Sequence, residues 1–380
     1  MKIISIEPTP SPNSMKIILS EPLPEGETYN YKPDDNLDNA PSFIKDLFAI
    51  EGVKNIYHVA DFIALDRNPR LAWEEILPKV REVFGESGET ENTQEAGALN
   101  REPFGEISVF IQMFRSIPMQ VKIEDGNEEK RFGLPKRFMN AVMKASAETP
   151  SFVMERKWIE QSPRYGAPEE IGEDVVEELS ASYDEERLDE LAEQALHPKP
   201  EEESPETKEK HKVSLETLDH PDWKVRYAAL DRMDDPDLED LPVLDKALDD
   251  EKMSVRRIAT AYLGMIEDRK VLPYLYKALQ DRVVTVRRTA GDCLSDLGFK
   301  EAIPEMIKTL KDSSKLVRWR AAMFLYEAGD ESALPALHEA ADDPEFEVRL
   351  QINMAIERIE GGHEAKGSVW HQMTQATNNK

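Results

Sequence analysis

A chain of 380 residues is long enough for two or three domains, and its net charge of −28 at pH 7 repels nucleic-acid phosphates and anionic membranes. Cys293 is the single cysteine, which excludes a disulfide framework and a thiolate cluster. No apolar run of about 18 residues occurs and the start lacks a signal-type stretch, so the sequence reads as a soluble, cytoplasmic protein.

Residues 1–86 read as an α+β unit in the order ββαββα. "KIISIE" and "MKIILS" are β-rich runs joined by a segment holding Pro8, Pro10 and Pro12, which fixes φ and removes donors. "APSFIKDLFAI" places Phe43, Leu47 and Ile50 at helical spacing before Gly52. "VKNIYHVADFIALD" reads as two strands, and "LAWEEILPKVREVFG" as a helix with Trp73, Ile76, Leu77, Val80 and Phe84 on one face. Residues 87–101 are a linker, poor in large apolar groups.

These residues carry a resemblance. Thr9, Pro10, Pro12, Asn13 and Lys16, followed by Leu47, Phe48, Gly52, Val53, Asp61 and Phe62, resemble the N-terminal domain of Nfu/NifU-type iron–sulfur scaffold proteins. Members of that family carry a further domain whose Cys-x-x-Cys holds the cluster, and this chain has no such pair. The cluster chemistry therefore does not carry over, and no cofactor is expected. The stiff proline loop is a candidate partner-binding ribbon through Thr9, Pro10, Pro12, Asn13 and Lys16; the alternative is a rigid strand connection.

Residues 102–196 form a second small α+β region. "ISVFIQMF" and "IPMQVKIED" are paired strands, "PKRFMNAVMKASA" an amphipathic helix, "PSFVMERKW" another strand, and 166–196 acidic helical sequence. The likeness of "SIPMQVKI" to "SPNSMKII" raises a degenerate copy of the first domain, against a convergent unit of similar order. Residues 165–212 hold 17 acidic and 5 basic side chains, and 197–212 form a charged linker.

From 213 to 362 the sequence is periodic. Val-Arg pairs stand at 225–226, 255–256, 286–287, 317–318 and 348–349, spaced by 30 and then three times by 31. Pro242, Pro273, Pro304 and Pro335 precede the last four pairs by 13 residues, and Asp250, Asp281, Asp312 and Asp343 precede them by five. Five helix–turn–helix units follow, each opened by proline where a missing N–H costs nothing and each burying its apolar stripe on its neighbours. The period and the Asp…Val-Arg pattern resemble HEAT-like repeats. The fold class is therefore multidomain: an Nfu/NifU-like α+β domain, a second α+β region, and an all-α HEAT-like solenoid, with a tail at 363–380. In this order the domains resemble the conserved virulence factor C family of Gram-positive bacteria.

Candidate sites divide by chemistry. The arginines of the Val-Arg pairs, Arg256, Arg287, Arg318 and Arg349, stand at the spacing for bidentate pairing with Asp250, Asp281, Asp312 and Asp343, a structural ladder in preference to a phosphate stripe. For Asp281 the expected partner is Arg287 or Arg318. Two residues after each repeat valine lie Tyr227, Arg257, Arg288, Trp319 and Leu350, of which the first four form a candidate partner-binding row; the alternative is an edge of the core. Cys293 falls beside the packed helix face. His338-Glu339 and His363-Glu364 are similar to iron-binding dyads of a HEAT-like hydroxylase family, but they lie 25 residues apart, out of register with the repeat, so no metal site is assigned. No G-x-S-x-G, H-E-x-x-H or phosphate loop occurs, and no catalytic residue is assigned.

The sequence thus reads as a non-enzymatic adaptor that binds one or more proteins through its N-terminal domain and its solenoid, without nucleic acid or membrane. The resemblance implies a partner in iron–sulfur delivery and a link to virulence output such as hemolysin production. The competing readings are a metal-binding or enzymatic protein with an inter-domain site, and a nucleic-acid-binding solenoid.

Overall fold

The computed structural model describes residues 1–9, 11–24, 26–85, 105–125, 128–146, 152–196 and 211–364. Pro10, the expected linker 87–101, most of the linker 197–212 and the tail from 365 lie outside the described residues.

The first domain contains β1 (Ile3–Pro8), β2 (Ser14–Leu19), β3 (Thr28–Tyr31), α1 (Ser42–Phe48), β4 (Val53–Val59), β5 (Phe62–Arg67) and α2 (Trp73–Val83). Its sheet is antiparallel in the order β1-β2-β5-β4-β3. Alternation puts Met15, Ile17 and Leu19 of β2, and Ile63 and Leu65 of β5, on the buried face. There they meet Ile44, Leu47, Trp73, Ile76 and Val80 of the two helices. Strand β3 was not expected. Its sequence, TYNY, buries no residue, so it carries none of the alternation by which a half-buried strand is read.

The second domain contains β6 (Glu106–Phe114), β7 (Ile117–Glu124), β8 (Glu129–Gly133), α3 (Lys136–Ala145), β9 (Arg156–Tyr165), α4 (Pro168–Ser182) and α5 (Glu185–Leu196). The sheet order is β8-β7-β6-β9. One cluster joins Phe114 and Ile117 to Phe138, Val142, Leu188 and Ala192; another joins Val109, Val121 and Ile123 to Ile171 and Val175. Gly172 lets α4 lie against the sheet: a Cβ there would sit 2.2 Å from Phe132 Cζ. The charged strand β8 was also unexpected, and the last strand starts at Arg156 rather than near Pro150. The copy hypothesis fails on topology. In the first sheet β1 is an edge and β2 is central, whereas in the second β6, the first strand, is central and pairs with the last.

The repeats supply α6 (Trp223–Asp231), α7 (Leu241–Leu248), α8 (Met253–Met265), α9 (Leu272–Ala278), α10 (Val284–Leu297), α11 (Ile303–Thr309), α12 (Lys315–Ala328), α13 (Leu334–Glu339) and α14 (Phe346–Glu360). Pro242, Pro273, Pro304 and Pro335 sit in the first turn of α7, α9, α11 and α13. The first repeat differs from expectation: a single 3-10 turn, Thr217–Asp219, replaces its first helix, so four complete helix pairs follow one lone helix. Contacts divide the chain into two units, residues 1–106 with 298–380, and residues 107–297.

Candidate functional site

In the unit of residues 107–297, the row on the second helices faces the second domain. Tyr227 is 5% exposed and Arg288 1%. Arg257 Nη2 donates to Glu178 Oε2 at 3.1 Å, and Arg164 of β9 donates to the same oxygen at 2.7 Å. Burial raises the Glu178 carboxyl, but the Arg257 and Arg164 guanidiniums outweigh it and bring the pKa down to about 2. Burial pushes the Tyr227 phenol up. Arg288 donates to the Tyr165 hydroxyl at 2.9 Å and lies 4.7 Å over its ring.

The unit of residues 1–106 and 298–380 repeats the arrangement with the first domain. Trp319 is 3% exposed, and Phe346 and Leu350 of α14 pack on the first-domain core. Arg67, at the end of β5, donates to Glu347 Oε1 at 2.7 Å and to the Leu71 carbonyl at 2.9 Å, and stacks 5.1 Å over Trp73. Burial pulls its guanidinium down and Glu347 pushes back. The expectation that Tyr227, Arg257, Arg288 and Trp319 form an open binding row is therefore corrected. Arg257 and Arg288 are taken up by Glu178 and Tyr165 of the second domain, and Tyr227 and Trp319 are buried.

The turn residues form bidentate pairs. Arg226 grips Asp250 at 2.6 and 2.8 Å, Arg256 grips Asp281 at 2.6 and 3.1 Å, and Arg318 grips Asp343 at 2.7 and 3.1 Å. Each aspartate also accepts the backbone N–H two residues on, as Val283 N to Asp281 at 2.7 Å and Ser314 N to Asp312 at 2.7 Å. The carboxylate partner of Asp281 is thus Arg256 of the preceding repeat, not Arg287 or Arg318. Arg287 instead donates to the Asp281 carbonyl at 2.8 Å. Arg349 donates to the Asp343 carbonyl at 2.7 Å and reaches Glu74 of α2 at 3.5 Å.

The proline segment is a brace. The Trp73 indole donates to the Pro12 carbonyl at 2.9 Å, and the Arg67 N–H donates to the Asn13 carbonyl at 2.9 Å. Thr9 Oγ1 donates to the Ser11 and Ser14 carbonyls at 3.1 and 3.0 Å. Lys16 pairs with Glu7 at 3.1 Å and lies 4.9 Å over Phe62. Beside it opens a cleft of about 630 Å³ whose polar lining includes Glu7, Lys16, Tyr326, Glu327, Arg358 and His363. Arg358 donates to the carbonyls of Leu325, Gly329 and His363 at 3.2, 2.6 and 3.1 Å. Tyr326 is pushed up to about 12 by burial and the Glu7 carboxylate.

Cys293 is buried, with Sγ 3.5 Å from the Thr260 carbonyl; a Cβ on Gly264 would meet that sulfur at 2.4 Å. Among the described residues no three His, Cys, Asp or Glu side chains group to hold a metal, and His338 pairs with Glu360 at 2.9 Å. No helix among them is long and apolar enough to cross a membrane.

Three family profiles match the chain: "Scaffold protein Nfu/NifU N terminal" over residues 4–91, "Virulence factor" over 112–192, and "HEAT repeats" over 212–291 and 284–357. Conserved virulence factor C of Staphylococcus aureus (strain MRSA252) is 51% identical over 382 residues, covering 99% of this chain and 100% of that protein. The chain belongs to the conserved virulence factor C family. In Bacillus subtilis (strain 168) an uncharacterized protein, YpgR, is 62% identical over 376 residues, 99% of each chain. The crystal structure of protein SAV1430 from Staphylococcus aureus, 49% identical, covers 22% of this chain and 99% of its own length with a TM-score of 0.21. The virulence-factor profile falls on the second α+β region, whose sequence carries a fold but no motif that points to a role. The Glu178 cluster has no sequence signature, because its two arginines lie 14 and 79 residues away.

Proposed function

We propose that the protein is a non-enzymatic adaptor in which the HEAT repeats hold the chain's own α+β domains, leaving the outward faces of those domains to receive partner proteins. The observation that carries this reading is the use of the repeat side chains inside the molecule: Arg257 and Arg288 are spent on Glu178 and Tyr165, and Glu347 on Arg67. Within each unit, paired turns and a clamped domain give a stiff body, which is what an adaptor needs to hold a partner at low entropic cost. The matching scaffold-protein profile supports a first-domain partner from iron–sulfur delivery. The name carried by the staphylococcal relatives supports a place upstream of virulence output.

Photo-cross-linking in the living cell tests the reading. A photoreactive residue at Tyr29 or Tyr57, which are 41% and 39% exposed, is expected to give protein adducts. The same residue at Trp319, 3% exposed, is expected to give none. Adducts of equal yield from Trp319 overturn the closed arrangement, and an absence of adducts from both tyrosines removes the first domain as the partner surface.

A further inference from the structure

We propose that two copies of the chain associate by antiparallel pairing of their β9 strands about a two-fold axis at Trp158. This inference is independent of the adaptor reading. β9 is ten residues long and lies at the sheet edge, where the opposite edge, β8, has five. A long edge presents unpaired N–H and C=O groups to any strand that fits. Here the side-chain amide of Gln161 donates to the Ile159 and Glu160 carbonyls, at 3.4 and 3.2 Å; successive carbonyls of a strand point to opposite sides, so one of the two faces the open edge. Large apolar groups stand exposed along the same stretch: Ile159 at 47%, and Val153 and Met154, just before the strand, at 64% and 81%.

The occupant follows from charge. Residues facing each other across an antiparallel pair point to the same sheet face. Under a two-fold axis normal to the sheet, the numbers of opposed residues must therefore share parity, and one residue opposes its own copy. With Trp158 in that place, Arg156 opposes the second copy's Glu160, and Glu160 opposes the second copy's Arg156. The stretch RKWIE is thus complementary to itself, with two opposite-charge pairs flanking an aromatic pair, while Lys157 lies opposite Ile159. Residues 152–163 carry Glu155 and Glu160 against Arg156 and Lys157, a neutral strip on a chain of net charge −28. Two like-charged molecules can approach there without the repulsion that their other surfaces impose. Trp158 is already held from one side by Lys122 and Arg131, whose charged ends lie 5.2 and 5.6 Å from its ring.

Sedimentation of the full chain from roughly 1 to 100 µM, a range suited to a small interface, is the test. The proposal expects dimer at the upper end, loss of dimer in Glu160→Arg, and its return in Arg156→Glu combined with Glu160→Arg. Glu160 is exposed and makes no ion pair among the described residues, so the single variant keeps its fold; circular dichroism checks both. A monomer at every concentration, a dimer indifferent to Glu160→Arg, or no return in the double variant overturns the proposal. Cysteine cross-linking reads the register: Trp158→Cys should form the intermolecular disulfide faster than Ile159→Cys, with buried Cys293 silent, and the reverse order overturns the axis at Trp158.

Discussion

Arg67 and Glu347 lie 280 residues apart in sequence and meet at 2.7 Å, with the Arg67 side chain only 1% exposed. A charge that deep is tolerable only while its partner is present. Glu347→Ala leaves the guanidinium desolvated and should cost roughly 3–5 kcal/mol. Replacing both residues with methionine should recover most of that loss. Thermal melts of the full chain check it: equal destabilisation in the single and double variants would mean that the pair contributes only packing.

The aspartate ladder gives a graded expectation. Arg256 and Asp281 are 4% and 9% exposed at their side chains, so Asp281→Ala strands a buried guanidinium and should cost about 1–3 kcal/mol. Lys311 and Glu339 are each 64% exposed, and Glu339→Ala should cost less than about 0.5 kcal/mol. Comparable melting shifts for the two variants would remove the ladder as a source of stability.

His58, on β4, is 1% exposed, and neither ring nitrogen has a hydrogen-bond partner. Its ring packs edge-on to Phe43 at 5.8 Å, and burial lowers its pKa from 6.5. The unfolded chain therefore takes up a proton at a higher pH than the folded one. The stability contribution is complete above pH 6.5 and is lost as pH falls below that value. His58→Leu should flatten the stability curve as pH falls below 6.5. A curve of unchanged slope in the variant would assign the dependence elsewhere.

Glu178 titrates in the opposite sense. Its folded pKa of about 2 lies below the ordinary 4.5, so its stabilisation is present above 4.5 and disappears as pH falls towards 2. Glu178→Gln leaves Arg164 and Arg257 without their carboxylate. The variant should be less stable than the parent at pH 7, and the gap should close through that window. A gap that stays constant down to pH 2 would contradict the ionised pairing.

The repeats were legible because four positions of the period each serve one physical end. Pro242 and its equivalents start a helix, Asp250 and its equivalents close a turn, and the valine and arginine follow in fixed register. Spacing identifies a helix face but not what covers it, so Tyr227 and Trp319 fit either a partner-binding row or an edge of the core. Asp281 lies six residues before Arg287 and 25 after Arg256, and only three-dimensional stacking decides which guanidinium reaches the carboxylate. β3 and β8 escaped because TYNY and EKRFG bury almost nothing, leaving hydrophobic periodicity without a signal. In the proline segment the sequence displayed stiffness, but the acceptor role of the Pro12 carbonyl depends on Trp73, 61 residues away.

Because Arg226, Arg256 and Arg318 each reach forward to the aspartate of the following repeat, these pairs have a direction. Arg349, in the last described repeat, turns instead to Glu74 of α2 at 3.5 Å, while Glu347 beside it takes Arg67. The beginning of the chain thereby serves as the closing cap of its last helix pair, supplying the polar outer end that a stack of repeats requires. Removal of residues 1–86 would expose Phe346 and Leu350 and let the solenoid fray from its C-terminal end, although the cut lies more than 200 residues upstream.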